Sequence, residues 1–205
     1  RPIASFAIQD TGCGDIILAT ANSSDFDVAW NWDVTPNNPG LAYTATDPTP
    51  LITFPENTSP NAIIYTVELI ASSINNCTDT TTNTVTIYPT PDVEFTIIPA
   101  DSCEPAQVTF INLSDPKNGE LINTMIFNWD FGDLTSSPTT SPIHTYTDSS
   151  ITDITYTITL EGETQHGCTN TADTNFTVYP DPVATIDTLI SDTSLCYCAP
   201  FTIDA

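Results

Sequence analysis

Six cysteines and two histidines are the side chains here with the sharpest chemistry, and the spacing of the cysteines constrains it first. Cys13 and Cys77 return as Cys103 and Cys168, at offsets of 90 and 91 residues, and Cys196-Tyr197-Cys198 lies near Ala205. Cysteines at matched positions in an acidic, Thr-rich, Lys-poor chain read as structural disulfides, which persist in oxidising compartments. Cys196-x-Cys198 alone is weak support for a soft-metal site, since no histidine accompanies it. His144 and His166 form no HExxH, and neither a GxSxG nor a Walker loop is present. With 26 acidic residues, close carboxylate pairs arise by chance and give no support to acid–base catalysis. The chain reads as non-catalytic.

Against those 26 acids stand only Arg1 and Lys117, for a net charge of -24. That excludes a basic nucleic-acid footprint and disfavours anionic membrane surfaces as partners. The charge is spread over 1–90, 91–180 and 181–205, each of which is acidic. Mutual repulsion along an extended, soluble rod accounts for it; loading with divalent cations is the sharper alternative, mildly favoured by the excess of Asp over Glu. No apolar run approaches the roughly 20 residues of a membrane span. No signal peptide precedes Arg1, so the expectation is mature sequence cut from a longer secreted chain. Asn22-Ser23-Ser24, Asn57-Thr58-Ser59 and Asn112-Leu113-Ser114 fit the N-glycosylation pattern, which Asn- and Thr-rich chains also match by chance. Asp79-Thr80-Thr81 and Asp187-Thr188-Leu189 resemble a bacterial O-glycosylation site. One lysine cannot supply a Lys-Asn cross-link to every repeat.

The elements that carry the cysteines repeat with them. Tyr65-Thr66-Val67-Glu68-Leu69 and Tyr88-Pro89 return as Tyr156-Thr157-Ile158-Thr159-Leu160 and Tyr179-Pro180. The boundaries are therefore a first module over 1–89, a second over 90–180, and the opening of a third over 181–205. Apolar and Thr-bearing positions alternate in Val93–Ile97, Gln107–Asn112, Tyr156–Leu160 and Asn175–Tyr179, which predicts half-buried strands. Helix signals are almost absent. An all-β module of several short strands in about 90 residues fits a Greek-key sandwich of the immunoglobulin type. Tyr88-Pro89-Thr90-Pro91 and Tyr179-Pro180-Asp181-Pro182 are expected to be short, stiff junctions in a head-to-tail array. Trp32-Asp33 and Trp129-Asp130 lie 97 apart, so the second copy has gained about seven residues, with Asp115-Pro116-Lys117-Asn118-Gly119 the expected place. A loop tolerates that gain cheaply.

Asn128-Trp129-Asp130-Phe131-Gly132-Asp133, followed by His144-Thr145-Tyr146 and Tyr156–Leu160, closely resembles the PKD domain, the immunoglobulin-like module named after polycystic kidney disease. The first copy reads Trp30-Asn31-Trp32-Asp33-Val34-Thr35, with no Phe-Gly-Asp and no His-Thr-Tyr equivalent expected, and resembles a degenerate PKD module. Trp129 and Trp32 are expected as buried anchors. Phe131-Gly132-Asp133 is expected to turn the chain, Gly supplying the unusual backbone angle and the carboxylates accepting turn N–H groups. His144 and Tyr146 are expected to pack and hydrogen-bond within the sheet. A Ca2+ site at Asp130 and Asp133 is the alternative; no other cofactor is expected.

In an immunoglobulin-like sandwich Cys13 and Cys103 fall in the first strand-to-strand loop, and Cys77 and Cys168 in the loop between the last two strands. These loops lie at opposite ends, about 23 Å apart for a seven-residue strand, and disulfide Cα atoms must come within roughly 7 Å. A staple between modules, Cys13 with Cys168, is therefore preferred; Cys77 would then pair with a preceding module and Cys103 with a following one. The alternative is Cys13 with Cys77 and Cys103 with Cys168. Cys198 aligns with Cys103, and Cys196 is left over.

Tandem modules with these cysteines and Tyr-Pro-x-Pro junctions resemble the long repeat regions of Bacteroidota surface proteins exported by the type IX route, including gliding-motility adhesins of the SprB type. The resemblance implies an extracellular or cell-surface stalk or filament. Its partners would be neighbouring repeats of the same chain, with extracellular polysaccharide or other surface proteins met through many weak contacts. Two alternatives stand beside it. One is an accessory module of a secreted hydrolase, for which an exposed Trp30 would serve as a sugar platform; the other is a self-associating extracellular fibre.

Overall fold

Strand-forming alternation dominates the chain, and its consequence is a molecule built almost wholly of sheet. The structure, a computed structural model, describes residues 2–14, 16–21, 27–35, 43–147 and 150–182. The first half holds β1 (Phe6–Ala7), β2 (Thr11–Gly12), β3 (Ile16–Leu18), β4 (Thr20–Ala21), β5 (Asp27–Thr35), β6 (Tyr43–Ala45), β7 (Leu51–Thr53), β8 (Ile63–Ser73) and β9 (Thr78–Ile87). The second holds β10 (Phe95–Ile98), β11 (Asp101–Cys103), β12 (Ala106–Asn112), β13 (Ile126–Asp130), β14 (Ser136–Ser137), β15 (Ile143–Tyr146), β16 (Ile154–Glu163) and β17 (Thr169–Tyr179), with a single 3-10 turn at Ile122–Thr124. The predicted strands are present, longer than expected in β16 and β17, while Val93 and Glu94 precede β10 rather than belonging to it.

In the second half a three-stranded sheet, β10-β12-β15, faces a five-stranded sheet, β11-β17-β16-β13-β14. The first half has the same five-strand order, β2-β9-β8-β5-β6, faced by the two ladders β1-β4 and β3-β7. Ala19 separates β3 from β4 where the second half runs a continuous β12; its N–H bonds to Pro50 O at 3.1 Å, outside either ladder. In both halves one strand joins its five-stranded sheet in parallel, β2 against β9 and β11 against β17.

Period-two burial produces two separate cores. β12 buries Ala106, Val108 and Phe110 against Phe127 and Trp129 of β13, Ile158 and Leu160 of β16, and Phe176 and Val178 of β17. The first core is Phe6, Trp32, Val34, Ile52, Phe54, Tyr65, Val67, Leu69, Val85 and Ile87, with Ala19. Trp32 and Trp129 are both fully buried, as expected of the anchors. Each indole N–H donates to a loop carbonyl at 2.8 Å, Trp32 to Asp47 O and Trp129 to Thr139 O, so burial leaves no polar atom unpaired. Residues 183–205, with Cys196 and Cys198 and most of the third module, lie outside the described residues, as does Asn22.

Candidate functional site: the junction between the two sandwiches

The preferred pairing of cysteines is the one present. Cys13 and Cys168 form a disulfide with Cα atoms 5.4 Å apart and a sequence separation of 155, while Cys77 and Cys103 are free and exposed. The within-module alternative is overturned. The geometry follows from local folding at each end. Cys13 follows β2, held in parallel register on β9 with Thr11 opposite Thr86 and Gly12 opposite Ile87. Gly14 then passes so close to Glu56 that an added Cβ would meet the Glu56 Cα at 2.5 Å, and its φ is +100°, so only glycine serves there. Cys168 closes the β16–β17 hairpin, where Thr164 N donates to Cys168 O at 2.9 Å and Cys168 N to Thr164 Oγ1 at 3.3 Å.

Around the bridge the two halves share a dense set of contacts. The Tyr88 and His166 rings stack face to face, centroids 3.4 Å apart and planes 6° from parallel. His166 Nε2 lies 3.1 Å from Glu120 Oε1. Glu120 is largely buried, and its second oxygen is unpartnered. The inserted loop, expected only to be tolerated, reaches across to the first half: Lys117 Nζ donates to Thr58 O at 3.5 Å, while also lying 2.9 Å from Asp92 Oδ1 at the start of its own module. Asn118 N donates to Pro60 O at 2.8 Å, and Asn118 Oδ1 accepts from Ala62 N at 3.0 Å. Lys117, Asn118 and Gly119 all take positive φ to make this reach. Pro89 and Pro91 are buried in the linker, and Asn170 Nδ2 donates to Pro91 O at 2.9 Å. Tyr88 falls in the expected Tyr-Pro junction, whereas Lys117, Asn118, Glu120 and Asn170 were not foreseen as junction residues. The signal available was that the lone lysine of 205 residues sits inside the gained segment.

Asn57 belongs to the same region. It is buried, its Nδ2 donates to Asn61 O and Ile87 O at 2.9 Å each, and its carbonyl accepts from Thr90 N. A buried, doubly engaged amide leaves no room for a glycan, so the Asn57 sequon is structural. Asn112 likewise has a buried Nδ2.

The second constellation, Trp129 to Asp133 with His144 and Tyr146, forms a corner of the second sandwich. Gly132 has φ +78°, and an added Cβ would meet Thr157 O at 2.5 Å, so the turn requires glycine. Asp130 Oδ1 accepts from Gly132 N at 2.9 Å, and Asp133 Oδ1 accepts from Thr135 N and Oγ1. Asp133 Oδ2 lies 2.7 Å from His144 Nε2, and the His144 ring stacks on Phe131 at 4.2 Å. Tyr146 OH donates to Phe131 O at 2.9 Å. Burial works against ionising Asp133, but hydrogen bonds from Thr135 and His144 outweigh it and hold the carboxyl below its ordinary range. Burial, with the Asp133 charge added, pushes the Tyr146 phenol far up. These carboxylates are thus occupied with turn N–H groups and a histidine. Among the described residues no three His, Cys, Asp or Glu side chains converge on one point.

Trp30, expected to be exposed, is half-buried and packs on the first core beside Trp32.

Two layers of antiparallel sheet over a Trp-centred core make this an immunoglobulin-like all-β protein. A family model described as PKD domain matches residues 89–178, the second sandwich; the match covers less than half of the chain. Similar solved structures include the PKD1 domain of Vibrio anguillarum Epp, 26% identical over 45% of this chain and 96% of that one, with a TM-score of 0.37. The PKD1 domain of the Vibrio cholerae metalloprotease PrtV is 23% identical over 42% of this chain and 96% of that one, with a TM-score of 0.34. The mouse nectin-like molecule 4 ectodomain, Ig1–Ig3, is 12% identical over 90% of this chain and 66% of that one, with a TM-score of 0.32. No curated protein matches the chain. PKD and immunoglobulin-like domains occur in extracellular proteins, and the disulfide accords with that setting. Among the described residues no helix is long and apolar enough to cross a membrane.

Proposed function

We propose that the chain is a non-catalytic, load-bearing segment of a long extracellular surface protein, a stalk or filament element made of tandem PKD modules over 1–89 and 90–180 with a third opening at 181. The long repeat regions of Bacteroidota adhesins exported by the type IX route, the SprB type among them, are the setting it fits best. The observation that carries the reading is the Cys13–Cys168 bridge. A pull applied at the two ends enters at Cys13, crosses one covalent bond and leaves from Cys168. The segment between them, with the proline linker and every strand except β1, β2 and β17, is bypassed. Only those three strands stay in the load path outside the bridge, whereas tandem modules without a bridge would carry load through all of their sheets. The acidic surface keeps such rods apart in solution.

Single-molecule stretching of the chain by its termini tests this. The oxidised chain should show no long release while its sandwiches are loaded. After reduction, the 155-residue separation should appear as roughly 500 Å of additional contour, at ~3.3 Å per residue. A long release from the oxidised chain overturns the load-bearing reading. Antibodies raised to the segment should label the outer surface of intact producing cells. The accessory-module alternative has lost the feature that favoured it, since Trp30 is packed on the core.

A further inference from the structure

We propose that Cys103 and Cys77 are the open halves of two more bridges of the same kind: Cys103 receives the hairpin cysteine of a following module, and the Cys77 hairpin docks on the edge cysteine of a preceding one. This rests on the tandem-rod reading and names its partner, a further module of this type. Neither cysteine stands alone as a signal, because each is the structural copy of one end of a bridge that the same chain closes.

The edge around Cys103 reproduces the edge around Cys13. β11 lies parallel to β17 with Asp101 opposite Thr177 and Ser102 opposite Val178, as Thr11 and Gly12 lie opposite Thr86 and Ile87. Cys103 thereby comes opposite Tyr179, the counterpart of Tyr88. Tyr88 N donates to Gly12 O at 2.8 Å, and Glu104 N donates to Tyr179 O at 3.1 Å, tying the same two segments together. Tyr88 carries the stacked ring of His166 across the junction, whereas Tyr179 is 38% exposed and no ring among the described residues stacks on it. The chain leaves Tyr179 through Pro180-Asp181-Pro182 as it leaves Tyr88 through Pro89-Thr90-Pro91, so a following module is delivered to this edge by the same route.

The Cys77 hairpin reproduces the Cys168 hairpin just as closely. Ser73 N donates to Cys77 O at 2.9 Å, Cys77 N to Ser73 Oγ at 3.3 Å and Asn76 N to Ser73 O at 2.9 Å. The corresponding bonds among Thr164, Gly167 and Cys168 have the same lengths, and Asn76 and Gly167 both take positive φ. What differs is the partner: Cys168 is buried in its bridge, and Cys77 is exposed. Bridges repeated in this way overlap, the next one starting at Cys103 while the first still spans to Cys168. Each PKD module is then held inside two covalent loops.

Closing such a bridge oxidises two thiols. One cysteine thiolate attacks the disulfide of a dithiol–disulfide oxidant, expelling one oxidant thiolate; the second cysteine thiolate then displaces the other. The two protons lost by the cysteine thiols are taken up by the expelled thiolates, so the oxidant leaves as a dithiol.

The test is peptide mass spectrometry of the intact secreted chain, alkylated before digestion and digested without reduction. The expected result is a Cys103 peptide joined to a hairpin-cysteine peptide from outside residues 1–182, and a Cys77 peptide joined to an edge-cysteine peptide from outside them. In a Cys103→Ser chain the first cross-link should be lost completely and its partner recovered alkylated, with Cys13–Cys168 unchanged. Alkylated Cys103 in the wild-type chain with modules on both sides overturns this inference alone. A Cys77–Cys103 link also overturns it. A chain with no further module beyond residue 182 overturns both it and the rod reading.

Discussion

The two sandwiches solve one architectural problem with two different corners. Their centres are nearly superimposable in their local geometry: Phe6 meets Trp32 edge-on at 5.0 Å and 77°, and Phe95 meets Trp129 at 4.9 Å and 78°. At the strand facing the Trp strand they diverge. β7 with Phe54 reads Leu51-Ile52-Thr53-Phe54, and β15 reads Ile143-His144-Thr145-Tyr146; β7 pairs with β3 as β15 pairs with β12, each in the sheet that faces the Trp strand. Ile52 and Phe54 are buried and apolar, and Phe54 packs edge-on against Tyr65 at 5.0 Å. Their counterparts His144 and Tyr146 hold Asp133 and the Phe131 carbonyl. The first sandwich thus has a His-Thr-Tyr equivalent, in apolar form. The difference teaches that the polar motif fastens the Phe-Gly-Asp turn and is not required for the fold, which the aromatic centre supplies.

The strongest way to break the comparison is to remove one centre and leave the other. Trp32→Ala and Trp129→Ala each delete a fully buried indole and strand its Phe neighbour, at a cost of about 3–5 kcal/mol to the affected half. Denaturant unfolding should split into two steps; in Trp129→Ala the remaining tryptophans, Trp30 and Trp32, report the surviving half alone, and in Trp32→Ala the signals of Trp30 and Trp129 should separate. A single coincident transition would show that the halves do not unfold separately. Next in size is Cys13→Ser with Cys168→Ser, expected to lower stability by about 2–4 kcal/mol, an effect that reducing agent should reproduce in the wild-type chain and not add to in the variant.

A smaller change converts one corner into the other. His144→Ile with Tyr146→Phe gives the second sandwich the first one's chemistry and should cost about 1–3 kcal/mol, because the Phe131 carbonyl and Asp133 lose buried partners. The pH dependence separates this from a packing defect. The folded-state pKa of Asp133 lies below its unfolded value, so its contribution is present above the ordinary carboxylate range and is lost as pH falls through the depressed value. Wild-type stability should therefore carry an acid-side loss that is reduced in the double variant; equal acid profiles would remove the corner pair from the account.

The two anchors, the strands and the bridge were legible because each rests on a local pattern or a repeat: alternation in Gln107–Asn112, matched offsets for the cysteines, a large indole in mid-strand. The apolar corner of the first half was not, since Phe54 follows Trp32 by 22 residues while Tyr146 follows Trp129 by 17, and replacing His and Tyr with Ile and Phe erased the motif while keeping its burial. Trp30, expected to be exposed, was legible after all: two residues from Trp32 on β5 it shares that residue's face, opposite Ala71 as Trp32 is opposite Leu69, and so it packs on the same core. The junction was least legible. Tyr88, Glu120 and His166 are far apart in sequence, and nothing local to any of them says that they meet.

The junction loop offers the smallest and most discriminating test. Lys117 pairs with Asp92, an aspartate 68% exposed, so the ion pair is screened and Lys117→Ala should cost below about 1 kcal/mol, shrinking further at high salt. Asn118→Ala should cost more, roughly 1–2 kcal/mol, because it leaves the Ala62 N–H without its acceptor and puts an L side chain with no local hydrogen bond at φ +52°. Neither touches the core of either sandwich. If the loop is a clamp between halves, the Asn118 loss, and the part of the Lys117 loss that comes from its bond to Thr58 O, should fall on the coupling between the two unfolding steps and grow when Cys13–Cys168 is reduced, because the clamp is then the remaining tie beside the linker. If it is only a tolerated insertion, the two variants should leave both transitions where they are, oxidised or reduced.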